Sequence, residues 1–256
     1  MGNDLKLDLS GKHAIVTGGG RGLCRSIAQG LHDSGAEVIL VGSSESARTA
    51  AKEMGYQGAA VYGVCGDLSS KKEIVRIFEE CVSIFEGRID ILVNGAGIQY
   101  RENAVDFPGE EWEKILSVNL SAVFYLSQMV GKVMIEQGGG RIINIASMTS
   151  FFGSVRIPAY TASKGAVAQL TKALSNEWAG KGVNVNAIAP GYMETTLTAA
   201  IKANNPEQYR EITSRIPIGR WGNGEDLKGL AVFLASDAAS YISGAVIPVD
   251  GGYLGK

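Results

Sequence analysis

Short apolar stretches rich in β-branched residues alternate with longer segments of helical period along nearly the whole chain. The stretches fall at 13–17, 37–41, 59–65, 89–93, 141–146, 183–189 and 245–249, and most are hydrophobic at successive positions rather than at every second one. Strands of that kind are apolar on both faces, as in a parallel sheet covered by helices on each side. The segments at 23–34, 44–54, 71–85, 110–137, 159–179 and 225–235 supply those helices. The pattern predicts one doubly wound α/β domain over residues 1–256. Residues 192–215 break the rhythm with polar and helix-forming side chains and are expected to form a substrate lid over the strand ends.

Composition narrows the partners. At 256 residues with 45% hydrophobic and 20% charged, the chain can bury a sizeable core, and neither disorder nor a membrane span describes it. Its 24 basic and 26 acidic residues offer no general attraction to nucleic acid or to an anionic bilayer, which leaves a small-molecule substrate. Three cysteines at spacings that match no zinc pattern, and a charged rather than apolar start, lead us to expect no metal, no targeting segment and a reducing cytoplasm. Thirty-four glycines are about twice the usual share and imply many tight turns or close backbone approaches.

In open sheets of this Rossmann type, ligands sit outside the carboxyl ends of the strands. The first strand runs into VTGGGRGLCRSIA, whose glycines let backbone N–H groups approach a phosphate at a helix N-terminus, although the strict G-x-G-x-x-G spacing is absent. Later strands end at Gly66-Asp67-Leu68, Asn94-Gly95-Ala96-Gly97, Ser147-Met148-Thr149 and Pro190-Gly191, so small and polar residues gather on one edge. Two placements conflict with simple packing. Asn119 falls on the apolar stripe of the 110–137 helix, where an amide needs a partner or a purpose. Tyr160 and Lys164 lie i,i+4 on one helical face just after Pro158.

Thr17-Gly18-x-x-x-Gly22, Asp67, the Asn94–Gly97 turn, Asn119, Ser147, Tyr160-x-x-x-Lys164 and Pro190-Gly191 together resemble the short-chain dehydrogenase/reductase family in order and spacing. Within it, the segments IINIASMTSFFGSVRIPAYTASK, NVNAIAPGYMET, RIPIGRWG and VDGGYL are similar to the dehydrogenases of deoxy- and ketodeoxygluconate. The resemblance implies an oxidoreductase interconverting a secondary alcohol and a ketone, on a gluconate-type sugar acid, and a homo-oligomer, a tetramer. Tyr160 would be the general acid/base, Lys164 its activator, Ser147 the group orienting the carbonyl and Asn119 the holder of a relay water. The chemistry agrees, because free tyrosine, with a pKa of about 10, is a poor base at neutral pH and a neighbouring ammonium favours its phenolate.

The resemblance further implies that Thr17, Gly18, Arg21, Gly22, Leu23, Asp67, Leu68, Asn94, Ala96, Gly97, Pro190, Gly191 and Thr195, with Tyr160 and Lys164, hold a nicotinamide dinucleotide. No acid ends the second strand to pair a free ribose. Gly42 stands there, and Ser43, Ser44 and Arg21 would accept a 2′-phosphate, so NAD and NADP both remain open with a local lean to NADP. The expected substrate residues are Arg101, Met148, Arg156, Tyr192 and Arg220, with Arg156 the first choice for a carboxylate. A 3-oxoacyl reductase and a non-catalytic nucleotide-binding scaffold are the alternatives, the latter disfavoured by an intact Asn119, Ser147, Tyr160 and Lys164. Two positions depart from the family pattern: Cys24 replaces the third glycine of the cofactor loop, and Gly95 replaces an asparagine.

Overall fold

A computed structural model describes residues 7–55, 60–195 and 203–255. Seven parallel strands form one sheet, in the order β3, β2, β1, β4, β5, β6, β7. They are β1 His13–Thr17, β2 Glu37–Gly42, β3 Val61–Cys65, β4 Ile91–Asn94, β5 Gly140–Ile145, β6 Val183–Pro190 and β7 Val246–Val249. Each lies where the apolar stretches place it, to within two residues at either end; residue 59 of the third stretch lies outside the described residues. Among the described residues the helices are α1 Gly22–Asp33, α2 Ser46–Met54, α3 Lys71–Ile84, α4 Gly109–Leu116, α5 Ala122–Glu136, α6 Pro158–Trp178, α7 Pro206–Ser214 and α8 Glu225–Ala235.

Successive side chains of each central strand enter opposite cores. Ala14 and Val16 of β1, Val38 and Leu40 of β2, and Ile91 and Val93 of β4 pack with Ile27, Leu31, Leu227 and Leu234 of α1 and α8. Ile15, Ile39, Val41 and Leu92 pack on the other face with Ile74, Ile77, Leu126 and Trp178 of α3, α5 and α6. Each such valine, leucine or isoleucine side chain, fully buried, stabilises the fold by about 1.5–3 kcal/mol before conformational entropy is subtracted. This explains why the strands read as continuous apolar runs.

The chain builds outward from β1 to β3 and then returns to lay β4 on the other side of β1. That reversal opens a crevice at the carboxyl ends of β1 and β4, where Thr17-Gly18 meets the Asn94–Gly97 turn.

The segment expected as one helix over 110–137 is not continuous. Residues Ser117–Ser121 form a π turn between α4 and α5, in which the Ala122 N–H donates to the Ser117 carbonyl five residues back. Asn119 sits in the middle of this turn and is fully buried. The helical run from 109 to 136 is long and apolar enough to cross a membrane. Here Leu126, Val130 and Met134 of that run are instead packed in the core beneath the sheet.

Candidate active site

The glycine loop between β1 and α1 depends on backbone that only glycine adopts easily. Gly18 and Gly22 have φ of 72° and 61°, and a β-carbon on Gly22 would meet nothing within 4 Å. Gly18 packs against the Gly95–Ala96 peptide so closely that a β-carbon would lie 3.1 Å from its backbone atoms. The result is an open cradle at the N-terminus of α1, with exposed Arg21 at its lip and partly buried Leu23 behind it.

Several expected cofactor residues support the site rather than face it. The Thr17 hydroxyl accepts from the N–H groups of Gly95 (2.9 Å) and Ala96 (3.1 Å) and donates to the Val93 carbonyl, stapling the two strand ends together. The buried Asn94 amide donates to Ser127 Oγ (3.0 Å) and Asn144 Oδ1 (2.9 Å), inside the core. Asp67 accepts from the N–H and hydroxyl of Ser69, and these two bonds hold its carboxyl below the usual range; Leu68 is buried beside it. Gly191 approaches the Asp250 backbone too closely for a β-carbon, and Thr195 lies half-buried at the last described position before residue 203. Ser43 and Ser44 are exposed after β2, and the Ser44 hydroxyl lies 2.9 Å from that of Ser46 at the start of α2. Glu45, the acid of this turn, is paired with Arg48 at 2.7 Å.

The four expected catalytic side chains converge at the carboxyl ends of β4 and β5. Ser147 follows β5, is buried, and caps the short helix Met148–Ser150 through its hydroxyl. Burial pushes the Tyr160 phenol above its ordinary value of 10.0, while a hydrogen bond with Ser147 opposes the shift. Lys164, one turn along α6, is 4% exposed; its Nζ donates to the Ile145 carbonyl at 2.6 Å and lies 5.7 Å from the Tyr160 ring centroid. Burial lowers its pKa to about 8. Asn119 is held on three sides: Oδ1 accepts from the Ile98 N–H (2.8 Å), and Nδ2 donates to the Ile98 carbonyl (2.9 Å) and to Ser163 Oγ (3.2 Å). A β-carbon on Gly97 would stand 3.5 Å from Asn119 Oδ1 and 3.7 Å from Lys164 Nζ, so the glycine keeps open the space between them.

The expected substrate residues divide. Met148 is buried beside Ser147, and Tyr192 leaves the end of β6 into an aromatic cluster with Trp221 and Tyr253. Arg156 has a left-handed φ of 65° and is oriented toward Glu102, 3.9 Å away, while its carbonyl accepts from the Glu102 N–H. Arg220 is engaged in a two-pronged pair with Asp226 on α8, at 2.8 and 2.7 Å. Arg101 is exposed. Of the expected lid, residues 196–202 lie outside the described residues; α7 follows, and Ile212, Ile216 and Trp221 form a small core of their own with Tyr192, Tyr209 and Tyr253.

Sequence reasoning missed Ser127, Asn144 and Thr171, which continue the Asn94 amide into a buried chain ending at the Val167 carbonyl. It also missed Ser163, the partner of Asn119, and Ser46; the signal for Ser46 is its position at the first residue of a helix after a glycine-ended strand. A cavity of about 710 Å³ lies at the opposite edge of the sheet, but its charges are already matched, Lys12 and Arg88 with Asp90 and Arg141 with Asp237.

A family model described as Enoyl-(Acyl carrier protein) reductase matches residues 18–254. The chain is 46% identical over 249 residues to a 2-dehydro-3-deoxy-D-gluconate 5-dehydrogenase of Bacillus subtilis (strain 168), covering 97% of this chain and 96% of that one. It is 39% identical to a gluconate 5-dehydrogenase of Gluconobacter oxydans (strain 621H), covering 95% of each. The crystal structure of a gluconate 5-dehydrogenase from Burkholderia cenocepacia J2315, in complex with NADP and tartrate, superposes with a TM-score of 0.93 at 37% identity over 98% of both chains.

Proposed function

The chain belongs to the short-chain dehydrogenase/reductase family, and on that premise we propose that it interconverts a secondary alcohol and a ketone on a gluconate-type sugar acid with a nicotinamide dinucleotide. The observation that carries this reading is the meeting of Ser147, Tyr160, Lys164 and Asn119 beside a glycine cradle that faces open space. The relatives named for gluconate derivatives supply the substrate class.

The cradle fits a dinucleotide. Backbone N–H groups at the start of α1 suit a pyrophosphate, and Arg21 with the Ser44 and Ser46 hydroxyls suits a ribose 2′-phosphate, since the nearest acid is already paired. This favours NADP over NAD. When bound, the nicotinamide ring supplies the hydride acceptor or donor; all proton handling falls to the chain. Tyr160 takes the proton from the substrate hydroxyl in oxidation and returns it in reduction. Ser147 holds that oxygen against Tyr160, and the Lys164 ammonium lowers the cost of the phenolate. Protons leave through the space that Gly97 keeps open between Asn119 and Lys164.

In this reading Met148 and Tyr192 form the walls of the substrate site, and the enzyme works as a cytoplasmic homotetramer. A 3-oxoacyl substrate would require an apolar groove in place of the arginines at this edge. The test is a panel of sugar acids and an acyl thioester, each with NAD or NADP, followed by absorbance of the reduced nicotinamide. Turnover of a gluconate derivative with NADP supports the reading, and turnover of the thioester alone overturns it.

A further inference from the structure

The arginines around the strand ends are of two kinds. Arg156 and Arg220 already have carboxylate partners, Glu102 and Asp226. Arg101 and Arg215 have no ion-pair partner among the described residues.

Arg215 lies just past the C-terminal end of α7, and its guanidinium carbon is 5.3 Å from the centroid of the Tyr253 ring. That ring meets Tyr192 edge-on at 5.5 Å and Phe152 at 6.0 Å. Tyr192 directly follows the Pro190-Gly191 end of β6, and Phe152 belongs to the loop between Ser147 and Tyr160. Three aromatic rings from three separate segments therefore tie this one cation to the edge where the catalytic residues converge. A guanidinium seated over an aromatic face is held by its plane and keeps its N–H edge free, the geometry that a planar carboxylate accepts in two parallel hydrogen bonds. Arg101 reaches the same edge from the exposed segment that follows the Asn94–Gly97 turn at the end of β4. Burial, and then the neighbouring Tyr253, raise the Tyr192 phenol above its ordinary value, and Arg215 and Arg101 both oppose that shift.

We propose that Arg215, seated on Tyr253 and assisted by Arg101, reads the carboxylate of the sugar-acid substrate and sets the preference of this enzyme for acids over their neutral counterparts. The proposal rests on the sugar-acid reading given above. Arg156 and Arg220, satisfied by their own carboxylates, hold the surrounding loops.

The experiment measures kcat and KM at saturating NADP for the active sugar acid and for its methyl ester, which keeps the carbon skeleton and removes the charge. In Arg215→Ala the KM for the acid is expected to rise roughly 10- to 100-fold, as for loss of a charge-assisted hydrogen bond, with kcat within about threefold and the ester unaffected. Arg215→Lys restores the charge without the fork and recovers part of the loss. Arg101→Ala shows a smaller rise of the same kind. Arg215→Gln, whose stem still covers the Tyr253 ring, decides the matter if the alanine variant loses its melting transition or its NADP binding. An equal loss on acid and ester, or an unchanged KM for the acid, overturns the role of Arg215. A wild-type enzyme that turns over acid and ester equally well overturns the role of Arg215, whereas one that turns over no sugar acid overturns the sugar-acid reading itself.

Discussion

The thiol of Cys24 lies 3.5 Å from the carbonyl oxygen of Gly95, and a β-carbon built on Gly95 would collide with that sulfur. The two departures from the family pattern are thus one paired change: the larger residue in the first turn of α1 occupies the space that a side chain at 95 would need. Burial pushes the thiol up to about 11, so Cys24 stays protonated and acts as filler and weak donor.

Gly95→Ala should therefore destabilise the protein by about 1–3 kcal/mol through overpacking, and raise the KM for NADP because the Asn94–Gly97 turn abuts Gly18 of the cradle. Adding Cys24→Gly should relieve the clash with the sulfur but not the 2.9 Å approach to the Thr17 carbonyl, giving partial rescue and a coupling of about 1 kcal/mol in a double-mutant cycle read by denaturant melts. Additive effects would dissolve the pairing.

Tyr160→Phe keeps the ring against Lys164 and removes only the hydroxyl. Turnover should fall by at least about 100-fold while NADP titration by fluorescence gives a nearly unchanged Kd. A variant within tenfold of wild type would remove Tyr160 from the chemistry.

The burial of Lys164 makes a statement about stability and pH. Its folded pKa of about 8 lies below the ordinary 10.5, so below pH 8 the amine is charged in both states and the desolvation cost is fully present. Between the two values the unfolded chain holds a proton that the folded one has lost, and stability rises with pH. Comparing wild type with Lys164→Met in denaturant melts without cofactor, the difference should move in favour of wild type from pH 7 to pH 10, by an amount on the order of a few kcal/mol. A flat difference would mean that the amine is solvated.

The fork between Arg220 and Asp226 joins the segment after α7 to α8 and holds the Asp226 carboxyl down to about 2. Arg220→Ala, Asp226→Asn and the double variant should lose activity alike, on acid and ester equally, since each breaks the same loop anchor. A loss confined to the acid in Arg220→Ala would assign this arginine to the substrate as well.

The scaffold was legible because parallel strands buried on both faces must be apolar at successive positions, and the helix over 225–235 was readable to the residue. Strand-end chemistry singled out Ser147 alone; that Asn119, Tyr160 and Lys164 lie beside it followed from the family resemblance, because helix positions far apart in sequence carry no signal of where they meet. The π turn was not, since an extra residue in a helical turn leaves the hydrophobic pattern nearly intact and shows only as an amide on the apolar face. Nor were the partners of Arg156 and Arg220 legible, because Glu102 and Asp226 are ordinary surface acids until the loops bring them close.

The buried chain from Ser127 through Asn94 and Asn144 to Thr171 has a consequence for how the sheet assembles. ILVN in β4 and the isoleucine-rich β5 are apolar on both faces, so sliding one past the other by a residue would still leave hydrophobic side chains against both helix layers. Such a slip would separate Asn94 from its aligned neighbour Asn144 and strand several amide and hydroxyl groups in the core, each at about 1–3 kcal/mol. The four polar residues work as a key cut into an otherwise featureless apolar seam. They tell two greasy strands which alignment to accept, and that alignment brings level the ends of β4 and β5, beyond which Ile98 holds Asn119 and Ser147 caps its short helix.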